Sequence, residues 1–327
     1  MKAILIGKDQ SLNWQDVPNP VVKEDDVLVK IEYAAVNRAD LMQREGTYPP
    51  PAGCPEWPGL EISGEIVELG EVAQKESSWK KGDKVCALLG GGGYAEYVTV
   101  RHDMLMPVPK NISMAMAAAM PEAFATAYLN LFIEGNLKKG DVFLMNAGAS
   151  GLASVVIPMA KAFGAYVITT IIDEEKREIV AKTGADLIVN TKTEDIVDVL
   201  KELSAKGKPV NLAIDCLGGD VMGKCLPHLG YMAKWIMIAT LAGDFTQLDM
   251  RKLFVTNVRV VGSTLRSKPQ DAKAKILKAL VNDIWAKVES GEIRPAIHQI
   301  LPITEAEQAH ALLYENKSAG KVVLQIV

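Results

Sequence analysis

Cysteine is scarce: Cys54, Cys86, Cys216 and Cys225 are the only four in 327 residues, and none forms a C-x-x-C pair. That spacing argues against a disulfide framework or a structural zinc site, so the four read as free thiols. The four histidines, His102, His228, His298 and His310, are equally scattered and lack ligand spacing. The net charge of −4 comes without a basic block, which disfavours a nucleic-acid surface. No apolar run reaches membrane-spanning length, and the opening MKAILIGKDQSLNW turns polar too soon for a signal peptide. No membrane partner and a cytoplasmic address are expected by default.

What is present is apolar content, 49% of the residues, in a chain longer than one core usually supports. Two domains are therefore expected. Residues 1–118 contain β-rich runs at Ala3–Ile6, Val27–Tyr33, Ile62–Leu69, Lys84–Leu89 and Ala95–Val100, divided by Pro, Gly and charged turns, which suggests a barrel or sandwich. Between them, Asn37–Arg44 has room for one or two helical turns, whereas Pro49-Pro50-Pro51 forces a stiff extended loop. Long irregular loops inside compact domains are often functional.

From about Ala115 the pattern changes. Met116–Leu131 reads as helix, and then strands at Val142–Asn146, Tyr166–Ile171, Leu187–Asn190, Asn211–Asp215 and Lys234–Ile238 alternate with helices at Glu174–Thr183, Glu194–Ala205 and Met222–Leu229. Such alternation predicts a doubly wound parallel sheet. Its first strand runs into Ala147-Gly148-Ala149-Ser150-Gly151-Leu152-Ala153, small residues that let backbone approach a ligand and leave N–H groups for a phosphate at a helix start. The dinucleotide fingerprint is partial, because Ser150 and Ala153 stand where further glycines often occur. Pro158 lies shortly after and predicts that the first helix is kinked or starts late. Helices are expected at Asp271–Ser290 and Glu305–Asn316, before a strand-like ending from Gly320. That ending has to pair somewhere, and a return to the N-terminal domain would make the dinucleotide domain an insertion. The expected division is 1–118 with 265–327, and 119–264.

Several stretches in order now carry a likeness: NRADLMQREGTYPPP from Asn37, GLEISGEI from Gly59, ALLGGGGYAEYVTV from Ala87, PEAFATAY from Pro121, NAGASGLA from Asn146, DCLGG from Asp215, STLRS from Ser263 and NKSAGKVVL from Asn316. Over essentially its whole length the chain resembles the zinc-independent medium-chain dehydrogenases/reductases, and within them the p53-inducible type of quinone oxidoreductase. The resemblance implies an α/β protein: a GroES-like β-rich catalytic domain plus a Rossmann-like doubly wound domain, with NADPH in the cleft between them, in a homodimer. Zinc members of that superfamily place a cysteine near Asn37 and a histidine at Leu60. Neither residue here supplies thiolate or imidazole, so no metal is expected and hydride delivery to an electron-poor acceptor remains.

The resemblance further places Asn37 beside the nicotinamide and Tyr48 in the substrate cleft, although Asn37 could equally be a turn residue and Tyr48 a packed aromatic. Glu61 would hold a buried network behind the ring. Thr126 would bond the carboxamide or only its own helix, and Asp40 would orient Asn37 or Arg38, or cap a helix. Gly148, Ser150, Gly151 and Leu152 would hold the pyrophosphate, Cys216 and Leu217 border the adenosine or ribose, and Ala239, Thr240 and Leu241 follow another strand end. Leu265, Arg266 and Ser267 would line the nicotinamide side, and Asn316 and Lys321 the outer rim, with Arg266 and Lys321 as readily solvated charges.

Asp173 departs from the family, which usually has a hydroxyl there before Lys176 to bind the 2′-phosphate. An acidic group about twenty residues after the glycine turn suits the ribose of NADH, though Asp173 could instead be a helix N-cap. The expected substrate is a small quinone or α,β-unsaturated carbonyl. Alternatives are an enoyl thioester reductase and a crystallin-like or RNA-binding dinucleotide protein with little turnover.

Overall fold

The computed structural model describes residues 1–326. Its first half carries strands β1 (Lys2–Ile6), β2 (Leu12–Asp16) and β3 (Asp26–Ala35), helix α1 (Arg38–Arg44), strand β4 (Glu61–Leu69), helix α2 (Glu71–Glu76), strands β5 (Lys84–Leu88), β6 (Tyr97–Arg101) and β7 (Leu105–Pro107), and helices α3 (Met114–Ala118) and α4 (Pro121–Tyr128). An alternation follows: β8 (Val142–Met145), α5 (Ala153–Ala162), β9 (Tyr166–Ile171), α6 (Arg177–Ala181), β10 (Leu187–Asn190), α7 (Ile196–Ala205), β11 (Leu212–Asp215), α8 (Gly219–Cys225), β12 (Lys234–Met237), α9 (Met250–Thr256) and β13 (Arg259–Gly262). The tail is α10 (Gln270–Glu289), β14 (Ile297–Pro302), α11 (Ala306–Tyr314) and β15 (Lys321–Gln325). Two compact units result, one of residues 1–125, 266–291 and 295–327, the other of 126–265 and 292–294.

In the first unit β1 and β2 form a hairpin, and a seven-stranded sheet runs β14-β15-β3-β4-β5-β7 with β6 also paired to β3. Strand β3 shows why it is central: Val27, Val29 and Ile31 are buried while Lys30 between them is exposed, the two-residue alternation of a strand with one face on a core. The C-terminal strand does return to this unit. Val323, Leu324 and Gln325 of β15 pair antiparallel with Ala35, Ala34 and Tyr33 of β3. Small residues let α3 settle on this junction, where Ala35, Ala115, Ala118, Ala119 and Val323 form one buried cluster.

The second unit is a six-stranded, all-parallel sheet in the order β10-β9-β8-β11-β12-β13. Sequence order turns back on itself at β8, so the loop after β8 opens at the switch point where ligands of such sheets bind. Val142 to Met145 are all buried, as a strand covered on both faces requires. Helix α7 contributes Ile196, Leu200 and Leu203 to that cover, and the Asp195 carboxylate caps it at the Val197 N–H, 2.9 Å.

One helix expectation needs correction, and one of the two alternatives offered for another falls away. Met116–Leu131 is not one helix: α3 stops at Ala118, α4 starts at Pro121, and the chain continues in a π-helical turn over Leu129–Glu134. Proline restricts the residue before it and lacks an N–H, so it starts a helix well and continues one badly. The helix after the glycine turn does not start late; α5 begins at Ala153 with Pro158 inside it. Its first turn is built by serines instead, since Ser150 Oγ accepts the Ala153 N–H at 3.1 Å and Ser154 Oγ donates to the Gly151 carbonyl at 2.7 Å.

Candidate active site

The first unit concentrates its buried charge around the start of α1. Asn37 is extended there, at φ −125° and ψ 154°. Its side chain leaves the helix: Nδ2 donates to Glu61 Oε1 at 2.9 Å, and Oδ1 accepts from Lys321 Nζ at 2.6 Å. Lys321 and Glu61 themselves form an ion pair at 2.6 Å with side chains 4% and 0% exposed. Glu61 Oε2 takes the Glu122 N–H at 2.8 Å. Both faces of the Asn37 amide are thus committed to charged groups, which fixes its orientation and distinguishes its O from its N.

Asp40 holds the backbone of the same turn. Its Oδ2 accepts the Asn37 N–H at 2.8 Å and the Tyr94 hydroxyl at 3.3 Å, and its Oδ1 accepts the Gly59 N–H at 3.0 Å. Burial raises its carboxyl to about 6 against these two N–H bonds. The Tyr94 hydroxyl also lies 3.3 Å from His310 Nε2, and burial drives His310 down to about 3, so its imidazole is neutral. Glu122 is raised to about 7 by burial and then by the charge of Glu61.

Tyr48 lies on the loop after α1, half-buried, with its phenol raised by burial. Its hydroxyl has no protein hydrogen-bond partner among the described residues. Arg266 and Lys321 are neither rim residues nor solvated charges: they are 6% and 4% exposed. Among the other expected residues, Ser267 is exposed and Leu265 buried, while Asn316 accepts from Arg38 Nη2 at 3.0 Å on the exposed surface. The Thr126 carbonyl accepts from Asn130 Nδ2 at 2.8 Å.

The second unit presents the glycine turn at the end of β8. A Cβ on Gly148 would stand 2.3 Å from Thr169 Oγ1, so this close approach of backbone to β9 demands glycine. Ala147 sits at φ 58°, and its N–H donates to Thr170 Oγ1 at 3.1 Å. The Ser150 N–H is used within the turn, on the Ala147 carbonyl at 3.0 Å; the Gly151 and Leu152 N–H groups have no backbone acceptor among the described residues. That leaves two amides at the start of α5, the donor set a pyrophosphate needs. Asp173 is a helix cap: its carboxylate accepts the Glu175 N–H at 3.2 Å.

Sequence reasoning missed the buried centre beneath this turn. Asp215 accepts from Asn146 Nδ2 at 3.0 Å, the Leu217 N–H at 2.9 Å, the Gly218 N–H at 3.0 Å and Trp235 Nε1 at 3.1 Å. It thereby ties the ends of β8 and β11 to the Trp235 side chain near the start of β12, and the Cys216 and Leu217 carbonyls carry the tie on to the Leu241 and Ala242 N–H groups at 3.0 and 2.8 Å. An acidic residue ending an apolar strand was the available signal, because a buried carboxylate has to find donors. Ala239 and Thr240 are half-buried beside this pairing and Leu241 is exposed.

Residues 23–110 match the alcohol dehydrogenase GroES-like domain and residues 151–282 the zinc-binding dehydrogenase domain. The quinone oxidoreductase-like protein 2 homolog of Nematostella vectensis is 33% identical over 91% of this chain and 81% of its own. The chain belongs to the medium-chain dehydrogenases/reductases, as a zinc-independent oxidoreductase of the quinone oxidoreductase type. The quinone oxidoreductase of Mus musculus is 27% identical over 99% of this chain and 97% of its own. The structure of Escherichia coli quinone oxidoreductase complexed with NADPH superimposes with a TM-score of 0.85 at 25% identity, covering 99% of this chain and 98% of the other. In this medium-chain oxidoreductase Leu60 is buried aliphatic, and Asn37 spends its amide on Glu61 and Lys321, so neither position offers a metal donor.

The Asp40 carboxyl supplies a test of the turn. Raised from 3.8 to about 6, it favours the folded state fully below about pH 4, and that contribution is lost as pH rises through 6. Asp40→Asn removes this titration while leaving Glu122 in both proteins. In urea unfolding the wild type should lose on the order of 1–3 kcal/mol relative to D40N between pH 4 and pH 6.5. A stability difference that stays flat over that window contradicts the buried placement of Asp40.

Proposed function

We propose that this oxidoreductase reduces a small quinone or α,β-unsaturated carbonyl with NADPH. The observation that carries the reading is the Tyr48 phenol, held on a loop of the first unit with its hydroxyl free of protein partners, in a chain whose zinc positions carry Asn37 and Leu60. A carbonyl acceptor then has to be polarised by hydrogen bonding and not by a Lewis acid. The first unit is proposed as the catalytic GroES-like domain and the second as the dinucleotide domain.

When bound, the reduced dinucleotide supplies a hydride. The chain's residues supply binding, orientation and a proton. The Gly151 and Leu152 amides, in the cradle that Gly148 opens beside Thr169, fit a pyrophosphate. Asn37, its amide held by Glu61 and Lys321, would pack beside the carboxamide-bearing ring. Cys216, Leu217, Ala239, Thr240, Leu241, Thr126, Leu265, Ser267 and Asn316 are proposed to border the rest of the cofactor. The Tyr48 hydroxyl would donate to the acceptor's carbonyl oxygen. Hydride reaching the acceptor carbon leaves negative charge on that oxygen, and one proton, from Tyr48 or from water through it, completes the two-electron reduction.

NADPH is preferred for the likeness to the family, in which a lysine at the position of Lys176 would take the 2′-phosphate. Asp173 favours NADH as the second reading. Its capping bond occupies one oxygen and leaves a negative group where the phosphate would lie. Competition between the two dinucleotides decides: tighter NADPH binding supports the proposal, and tighter NADH binding assigns Asp173 to the ribose.

Tyr48→Phe should lower kcat on the order of 10²-fold with 9,10-phenanthrenequinone and with a simple enone. Unchanged turnover with both removes Tyr48 from the mechanism. Crotonyl-CoA as the preferred acceptor would assign the enoyl thioester activity instead.

The proposed homodimer has a candidate surface in the second unit. Phe245 on the loop before α9, Met250, Phe254 and Val255 on α9 and Val260 on the edge strand β13 are exposed, and among the described residues the outer side of β13 has no strand partner. An open edge with apolar neighbours suits a second copy, because a two-fold axis lets the same strand pair with itself. Sedimentation velocity should show a dimer that Phe254→Glu combined with Val260→Lys converts to monomer. A wild-type monomer at micromolar concentration contradicts it.

A further inference from the structure

Arg266 is buried among neutral acceptors, and every contact it makes there closes on the Tyr48 loop or on what the loop rests against. Its Nη1 donates to the Tyr48 carbonyl at 3.1 Å. Nη2 and Nε both reach the Gly90 carbonyl, at 2.9 and 3.2 Å, and Nη2 reaches Gln43 Oε1 at 2.6 Å. The guanidinium carbon lies 4.8 Å from the centre of the Tyr48 ring. Behind it, Lys273 Nζ donates to the Arg266 carbonyl at 2.6 Å, and Lys273 is itself 6% exposed.

These contacts gather three separate segments: helix α1 through Gln43, the loop that follows it through Tyr48, and the glycine run after β5 through Gly90. The far end of the loop is held separately, by Gln43 Nε2 on the Glu56 carbonyl at 2.7 Å and by Trp57 Nε1 on the Gly92 carbonyl at 3.1 Å. Downstream of α1 the Thr47 and Tyr48 N–H groups share one acceptor, the Met42 carbonyl, at 3.0 and 3.2 Å. A Cβ on Gly90 would stand 2.4 Å from Cys54 Sγ on the same loop, so any side chain there would have to displace that thiol. A planar fork that serves three acceptors and still lies against a ring is what a guanidinium can do and an ammonium cannot.

We propose that Arg266 is the positioning residue for Tyr48, holding its backbone and ring so that the free hydroxyl is presented in one place to the carbonyl oxygen of the acceptor. This rests on the reading of Tyr48 as the acceptor's hydrogen-bond donor. A phenol ordered before the acceptor arrives loses no freedom on binding, and geometry at a reacting centre matters steeply, since a misplacement of about 1 Å can lower a rate about 10²-fold. The positive charge against the ring also stabilises negative charge that develops on the phenol oxygen as it gives up its hydrogen bond or proton.

The alternative role for Arg266 is a strut that stabilises the unit without acting on Tyr48, and a double-mutant cycle separates the two. Arg266→Lys keeps a buried cation but cannot fork; Gln43→Met keeps the guanidinium and removes one of its three anchors, together with the bond from Gln43 Nε2 to the Glu56 carbonyl. Each is combined with Tyr48→Phe and assayed with a simple enone. Arg266→Lys should lower kcat about tenfold with the KM for dinucleotide within about twofold, and Gln43→Met should do so to a smaller extent. In the Y48F background neither substitution should change kcat by more than about twofold. Equal losses with and without the Tyr48 hydroxyl make Arg266 a strut and overturn the proposal. If Arg266→Lys does not fold, Gln43→Met decides by the same comparison. Failure of the underlying reading looks different: Y48F alone would then turn over as fast as the wild type.

Discussion

A lysine and a glutamate with almost no access to water face each other in the first unit, and the candidate site depends on that pair. Lys321 and Glu61, 2.6 Å apart, come from β15 and from the first position of β4. Removing either partner would strand the other as a buried charge, which is far more damaging than the pair is stabilising. The pair therefore requires the last strand to return to the sheet of the first unit. It then orients Asn37 from both ends of its amide and anchors the start of α4 through the Glu122 N–H.

Around this pair the unit builds outward in two layers of polar contacts. Asp40 fixes the backbone at Asn37 and Gly59, with neutral His310 reached through Tyr94. Arg266 fixes the loop that bears Tyr48. In the second unit Asp215 has the matching part, with four donors drawn from beyond the ends of β8 and β11 and from β12, so that the glycine turn rests on a satisfied core. In both units a buried carboxylate organises backbone that has to be in place before any ligand arrives.

Strands β9 and β10 are legible to the residue, because YVITTI and LIVN are rich in β-branched side chains and follow Gly-Ala and Asp turns. Strands β2, β7, β13 and β14 were not read: LNWQD is mostly polar, and LMP and RVVG are too short to show a period. Met116–Leu131 was read through Pro121, where the proline outweighed an otherwise helical composition. At the site, Asn37 and Glu61 stood out through the stretches that carried the resemblance. The sequence alone puts Lys321 at the rim and Arg266 on the nicotinamide side, each as readily in solvent, since nothing local distinguishes a solvated cation from a buried one. The partners that bury them lie 284 and 218 positions away in the chain, at Asn37 and Tyr48.

The central claim is that this chain delivers hydride to a carbonyl acceptor. It is tested most directly with NADPH carrying deuterium on one face of C4 and a simple enone, reading the product by NMR. The account predicts one deuterium on the β-carbon of the product from one of the two labelled forms, and none from the other. Tight dinucleotide binding with no reduced product, or product without deuterium from either form, would contradict it.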